Sequence, residues 1–371
     1  MKVECVKNKL QQVVSLVEKV TGRKLALTIL SKIIFETKSK DFFAKATNLD
    51  IAVEIKIPAK VSMEGVIAID GSVLEAHLAN LPESSVFLET TAESLIIKTS
   101  NSSARISVYE SDDYPMFSRE KKINGSMVCV EATDLALAIR SVSYASSTSD
   151  IKPELASILM SFFDEELIFV ATDSFRLALK KIPVIGHSKI KISEFSALIP
   201  FRSVIEIGRI FENYEGEVEI TYSSDEIIFK TDSIFVTARL VNGNFPPYEG
   251  IIPKSTTTQV VVSRDDLVSA IRLATVFSDK FYQVSLRVIP EDYLFEVGGK
   301  AQEKGEGTVR VNVTTTGLSV DTRVNAKYFL DCLGVLKGGD ITIGFNGTDK
   351  AMTVRHSGDR SFLYLLMPLN K

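Results

Sequence analysis

Apolar residues recur at the spacing of one helical face in three separated stretches. Lys7 to Val20 carries Leu10, Val13, Val14 and Val17 and runs into Thr21-Gly22, the stripe and stop signal of a helix. Glu131 to Ser146 sets Leu135, Leu137, Ile139 and Val142 behind Thr133-Asp134, and Ser263 to Ser278 sets Leu267, Ile271 and Ala274 behind Arg264-Asp265-Asp266. The last two are visibly related, DLALAIR against DLVSAIR. A second helix family follows at the same interval: AIDGSVLEAHLANL from Ala68, LIPFRSVIEIGRIF from Leu198 and RVNAKYFLDCLGVL from Arg323. Ile69, Ile199 and Val324 correspond, as do Leu74, Val204 and Phe329, and Leu81, Phe211 and Leu336.

Short alternating stretches follow these helices, at Val86 to Glu89, Val218 to Thr221 and Ile341 to Gly344, and predict strands. Tyr114-Pro115-Met116-Phe117 and Phe245-Pro246-Pro247-Tyr248 close two of the repeats. An interval of about 125 to 132 residues predicts three similar domains, at 1–126, 127–257 and 258–371. Each is expected to be α+β, with two helices packed on antiparallel sheet, because several hairpin-spaced strands separate the helices. In the middle repeat, ATDSFRLAL from Ala171 predicts a β-hairpin: Ile168 to Ala171 forms one strand, Thr172-Asp173-Ser174 the turn, and Leu177 and Leu179 alternate along the other. On its pattern this hairpin serves the core.

Composition adds limits. With 371 residues, 45% hydrophobic and 24% charged, the chain has the make-up of a soluble globular protein with ample core. Its net charge of -4 excludes simple overall attraction to nucleic acid and leaves a local basic stripe open. Cys5, Cys129 and Cys332 are odd in number and far apart, which fits reduced, buried thiols and a cytoplasmic setting. No signal-like run or membrane-span-length apolar segment is visible, and the sequons at Asn101, Asn124, Asn312 and Asn346 read as chance matches in turns.

Candidate chemistry is sparse. His77, His187 and His356 have neither metal-ligand spacing nor a nearby Cys or Ser nucleophile. Gly298, Gly299, Gly305 and Gly307 read as a charged linker between strands rather than a phosphate loop. Asp112-Asp113 and Glu165-Glu166 read as solvated loop acids. No catalytic group, metal or cofactor is expected. Lys19, Arg140, Arg209, Arg272 and Lys337 fall late in helices, and Arg202 and Lys327 near two starts; such placement serves the helix dipole, and would also make a basic surface if the six helices shared one.

Three similar domains, ATDSFRLAL in the second, NGNFPPYEGIIP closing it and a C-terminal YLLMPLNK together resemble the bacterial sliding clamps, the DNA polymerase III beta subunit family, over essentially the whole chain. LTILSKIIFE, ATNLDIAVE and YASSTSDIKPEL fit the same resemblance. It implies a head-to-tail homodimeric ring with helices facing double-stranded DNA, held without reading sequence, and partners that include the polymerase III catalytic subunit, the clamp loader and other proteins with a clamp-binding motif.

The resemblance also assigns residues. Arg23, Lys24, Lys152 and Arg202 become DNA contacts, although Ser149, Pro153 and Glu154 give their loop less grip than some relatives have. A groove for a partner peptide maps onto Leu155, then Thr172, Phe175, Arg176 and Leu177, then Pro246 and Ile251, and finally Leu365, Met367, Pro368 and Leu369. Ser174 and Phe175 stand where some relatives have Gly and His, and Gly250 where some have a basic residue, so a more apolar groove is expected. The dimer seam maps onto Arg105, Ile106 and Val108 against Val276 and Phe277, with Glu303 and Glu306 facing Arg105. Two other readings remain: a monomeric repeat-domain scaffold that binds peptides without encircling DNA, and an enzyme using the Gly298 to Gly307 segment to hold phosphate.

Overall fold

The computed structural model describes residues 1–22, 27–82, 85–115, 117, 126–185 and 194–369. Among them are six α-helices: α1 (Lys7–Lys19), α2 (Gly71–Asn80), α3 (Ala132–Ser143), α4 (Phe201–Phe211), α5 (Arg264–Thr275) and α6 (Ala326–Val335). The starts of α1, α3 and α5 are the positions that the repeat equates. Their far ends match too. Thr21 Oγ1 donates to the Glu18 carbonyl at 2.7 Å, Ser146 Oγ to Ser143 at 3.0 Å and Ser278 Oγ to Ser278's third predecessor, Thr275, at 2.8 Å, so one hydroxyl per repeat satisfies a terminal helix carbonyl. The even-numbered helices start later than the periodicity suggests because their first apolar residues finish a strand, as in Gly65–Ile69 before α2. Asp70 then caps α2 through the Ser72 and Val73 amides, and Asn325 caps α6 through Tyr328.

The chain forms two compact units, Met1–Ala136 with Val184–Phe195 and Arg202–Leu240, and Leu137–Pro183 with Ser196–Phe201 and Val241–Lys371. The second repeat is thus divided between them. In the first unit, Ile234–Arg239 pairs antiparallel with Ile51–Ile57, Ala238 opposite Ile51 and Thr237 opposite Ala52. In the second, Phe362–Leu366 pairs with Arg176–Pro183, Leu366 opposite Arg176 and Leu365 opposite Leu177. ATNLDIAVE and ATDSFRLAL align without gaps, so these two pairings have the same register. Among the described residues, the first unit carries a thirteen-stranded sheet, and the second a nine-stranded and a four-stranded one.

Two expectations change. Gly298, Gly299, Gly305 and Gly307 lie in the paired strands Leu294–Ala301 and Gly305–Asn312, not in a linker. A Cβ on Gly299 would strike the Ala274 carbonyl and one on Gly307 would come within 2.6 Å of the Phe277 ring, so these glycines let the end of α5 lie flat on the strands. Cys5 and Cys332 are buried, as expected, but Cys129 is only half-buried; burial pushes the Cys5 thiol up to about 12.

The repeats also diverge in chemistry at one matched pair. Val170 opposite Leu179 is apolar and buried in the second unit. Lys45 opposite Glu54 is its counterpart in the first, where the ammonium bridges Glu36 and, at 2.9 Å, Glu54.

Candidate functional site

The hairpin at Ala171 is shaped by two short polar side chains. Thr172 Oγ1 donates to the Arg176 carbonyl at 2.7 Å and accepts from the Ser174 amide at 3.1 Å. Asp173 Oδ1 accepts from the Phe175 and Arg176 amides at 3.0 and 3.1 Å. These bonds replace backbone partners in the turn. They hold Ser174 at φ 79°, in the left-handed region, and leave Phe175 59% exposed.

Arg176 points the other way. Its Nε donates to Asp173 at 2.8 Å and its Nη1 to Asp331 at 2.7 Å, while its guanidinium lies 4.1 Å from the centre of the Tyr328 ring. Burial disfavours its charge, but Asp331, Tyr364 and Asp173 together hold its pKa above the ordinary value. Tyr364 donates to the Tyr328 carbonyl at 2.7 Å and lies 5.9 Å, ring to ring, from Tyr144; desolvation raises both buried phenols well above their usual range. Arg176 is therefore a strut under the hairpin, with its charge neutralised within the chain.

Around the strut lies a core of Leu159, Ile168, Val170, Leu177, Leu179, Leu198, Tyr248, Leu363 and Leu365, with Val241, Phe245 and Ile252 packed against it. Leu177 and Leu365 face each other across the ladder and are buried, as are Leu155 and Thr172. The ladder runs on as Met367 N–H donates to the Phe175 carbonyl at 2.9 Å, and Leu369 N–H donates to Arg323 at 2.7 Å. These bonds fix the C-terminal stretch beside the hairpin. Phe175, Ile251 and Met367, together with Pro246, remain exposed, while Pro368 and Leu369 are half-buried. The sequence-assigned residues thus divide into a buried floor and a small accessible apolar set. Asp173, Asp331, Tyr144, Tyr328 and Tyr364 were missed; Asp331 lies 155 residues from Arg176, and no local pattern links the two.

Of the other assigned residues, Lys152 and Arg202 are exposed, whereas Arg23 and Lys24 lie outside the described residues. Arg105 is exposed, Ile106 buried and Val108 half-buried on the strand Ser103–Tyr109. This strand pairs fully with Ser94–Lys98, but on its other side only through Tyr109 and Val108. Gly305–Asn312 is an outer strand of the four-stranded sheet; on it Glu306 meets Lys300 at 2.7 Å, and Glu303 is exposed nearby in sequence. Val276 is 63% exposed, while Phe277 packs within the chain on Gly307.

Among the described residues, no group of three His, Cys, Asp or Glu could hold a metal ion, and no helix is long and apolar enough to cross a membrane.

Family models for the DNA polymerase III beta subunit match residues 1–118 (N-terminal domain), 129–247 (central domain) and 249–370 (C-terminal domain). The beta sliding clamp of Staphylococcus aureus is 24% identical over 361 residues, covering 95% of this chain and 94% of the relative. Two solved structures share the fold: the DNA polymerase III beta subunit of Thermotoga maritima has a TM-score of 0.91 at 23% identity, and the DNA polymerase sliding clamp of Bacillus subtilis 0.89 at 23%, each covering 100% of this chain and 99% of the other. With its repeat, its matched strand pairings and all three domain models in order, the chain belongs to the DNA polymerase III beta subunit family, the bacterial sliding clamps.

Proposed function

We propose that the chain is a DNA sliding clamp: a non-enzymatic processivity factor that closes around duplex DNA as a homodimer and tethers polymerases through the apolar surface at the ATDSFRLAL hairpin. The observation that carries this reading is the pair of equivalent seams. The strand Ile234–Arg239 closes on Ile51–Ile57, and Phe362–Leu366 closes on Arg176–Pro183 in the same register. The repeat supplies a third such pair, Ser103–Tyr109 and Gly305–Asn312; among the described residues the first is paired on one side only at Val108 and Tyr109, and the second is an outer strand. Open edges demand a partner or protection. Two copies joined head to tail cover both, with domains near 1–126, 127–257 and 258–371, and with Arg105 of one copy facing the acids Glu303 and Glu306 across the seam.

DNA is held by enclosure, helped by sequence-independent phosphate contacts from Lys152, Arg202, Arg23 and Lys24. At the hairpin, Phe175, Ile251 and Met367 receive apolar anchors of a partner peptide, over a floor of Leu155, Thr172, Leu177 and Leu365. Pro246, Pro368 and Leu369 flank them. Each anchor contributes about 1.5 to 3 kcal/mol before ordering costs, which gives exchangeable binding. The polymerase III catalytic subunit and the clamp loader are the expected partners, in the cytoplasm.

The test is retention on nicked circular DNA after loading, compared with the same DNA linearised. Loss on linearisation alone supports the enclosing ring. Equal retention on both sinks it, and a strictly monomeric mass in solution would favour the peptide-binding scaffold.

A further inference from the structure

The hydroxyl caps at Thr21, Ser146 and Ser278 put the loops after α1, α3 and α5 in register. On that register Arg23 and Lys24 correspond to Lys280 and Phe281, and Ser149 also falls at Phe281. At these positions the third loop has one cation followed by two aromatic residues. Phe281 is 62% and Tyr282 47% exposed, and the Lys280 ammonium lies 5.2 Å from the Phe281 ring centre.

This loop is stiff. Asp279 Oδ1 accepts from the Phe281 and Gln283 amides at 2.9 and 3.2 Å, and Tyr282 N–H donates to the Asp279 carbonyl at 3.1 Å. From α6, Asn325 Nδ2 donates to the Phe281 carbonyl at 3.1 Å and Ala326 N–H to Tyr282 at 2.8 Å. Tyr282 is held at φ 57°, a conformation that is uncommon for a bulky residue. Two large rings are thus presented to water by a braced backbone, and little ordering entropy is left to lose on binding.

We propose that Lys280, Phe281 and Tyr282 form a stacking platform for unpaired nucleotides, so that the protein grips single-stranded DNA next to the duplex it encloses. Rings stack on bases regardless of sequence, and a neighbouring ammonium meets the phosphate between them. A phosphate-bearing strand satisfies the lysine as well as the rings, whereas at protein–protein interfaces aromatic residues are enriched but lysine is depleted. The proposal rests on the clamp reading for its duplex, but not for its contact with the single strand.

The experiment measures binding of the full-length protein to a short labelled oligothymidylate by fluorescence anisotropy, for the wild type, Phe281→Ala and Tyr282→Asn. Asn tolerates the left-handed backbone, which guards the second variant against misfolding. Each substitution is expected to weaken binding about tenfold while retention on nicked circular duplex is unchanged. Unchanged oligothymidylate affinity in both variants overturns the platform, as does absence of binding by the wild type. Failure of the wild type to stay on circular duplex would instead refute the clamp reading, and the oligothymidylate result would stand by itself.

Discussion

Arg176 reaches across 155 residues of chain to donate to Asp331 at 2.7 Å, tying the hairpin of the second repeat to α6 of the third. The Arg176 side chain is 9% exposed and that of Asp331 33%, so removing the arginine leaves Asp173 and Asp331 without their main counter-ion. Arg176→Ala is expected to cost about 3 kcal/mol, read as a lower urea midpoint with unchanged slope. Asp331→Asn keeps a hydrogen-bond acceptor and should cost about 1 kcal/mol. Equal stability of wild type and Arg176→Ala would mean that the strut holds nothing.

Ser174 sits at φ 79°, and its counterpart in the first repeat, Leu49, at φ 77°. Both hairpins ask an L-residue for a conformation that glycine adopts freely. Ser174→Gly should therefore stabilise the protein by about 1 kcal/mol, and Leu49→Gly should do the same. Thermal melting of the two variants checks this. A lower Tm in Ser174→Gly would show that the side chain contributes more than the strain costs.

Floor and rim of the hairpin surface should respond differently. Phe175→Ala and Met367→Ala remove exposed apolar area, and together are expected to weaken a leucine- and phenylalanine-bearing partner peptide at least tenfold with little change in stability. Leu177→Ala opens a cavity in the core and should cost about 2 to 5 kcal/mol of folding stability. Peptide titration beside chemical denaturation separates the two classes. Unchanged affinity in the double variant would move the site elsewhere.

The third seam invites a charge exchange. Arg105→Glu should weaken dimerisation about tenfold by setting like charges opposite each other. Adding Glu306→Arg should recover most of the loss. Sedimentation equilibrium of the four proteins closes the cycle, and additive effects of the two substitutions would rule out a pairing of Arg105 with Glu306.

Asp70 gives a pH signature. Burial opposes its charge, but the Lys32 ammonium at 2.8 Å, the Ser72 hydroxyl and the Val73 amide outweigh it and hold its pKa at about 2, below the ordinary 3.8. A carboxylate with a lowered folded-state pKa contributes stability that is complete above its unfolded value and disappears as pH falls through the folded one. Asp70→Ala should therefore be less stable than wild type at neutral pH, by about 1 kcal/mol for a lost cap. The difference should shrink between pH 4 and pH 2. A gap that stays constant over that range would mean that the ionised carboxylate is not what caps α2.

Helix placement was legible because the apolar stripes at Leu10, Leu135 and Leu267 recur at similar intervals and burial follows them. The hairpin was legible for the same reason. What escaped was long-range: the sequence marks neither the Arg176–Asp331 tie nor the tyrosines around it, because their spacing is set by how strands from different repeats pair. Leu177 and Leu365 could be listed as site residues but not sorted into floor or rim, since alternation says that a side chain is on the apolar face and not how deep it lies. The glycines at Gly299 and Gly307 read as linker because their reason for being small, the end of α5 above them, is distant in sequence.

The charged trio of Lys45, Glu36 and Glu54 sets a limit on valency. Where the second repeat has the oily pair Val170 and Leu179 beneath its partner surface, the first has ions that satisfy one another. An equivalent apolar landing place in the first repeat would need those ions stripped of their contacts, which is costly. On the proposed reading, rival partners then compete for the hairpin surface of the second repeat, according to their concentrations and affinities.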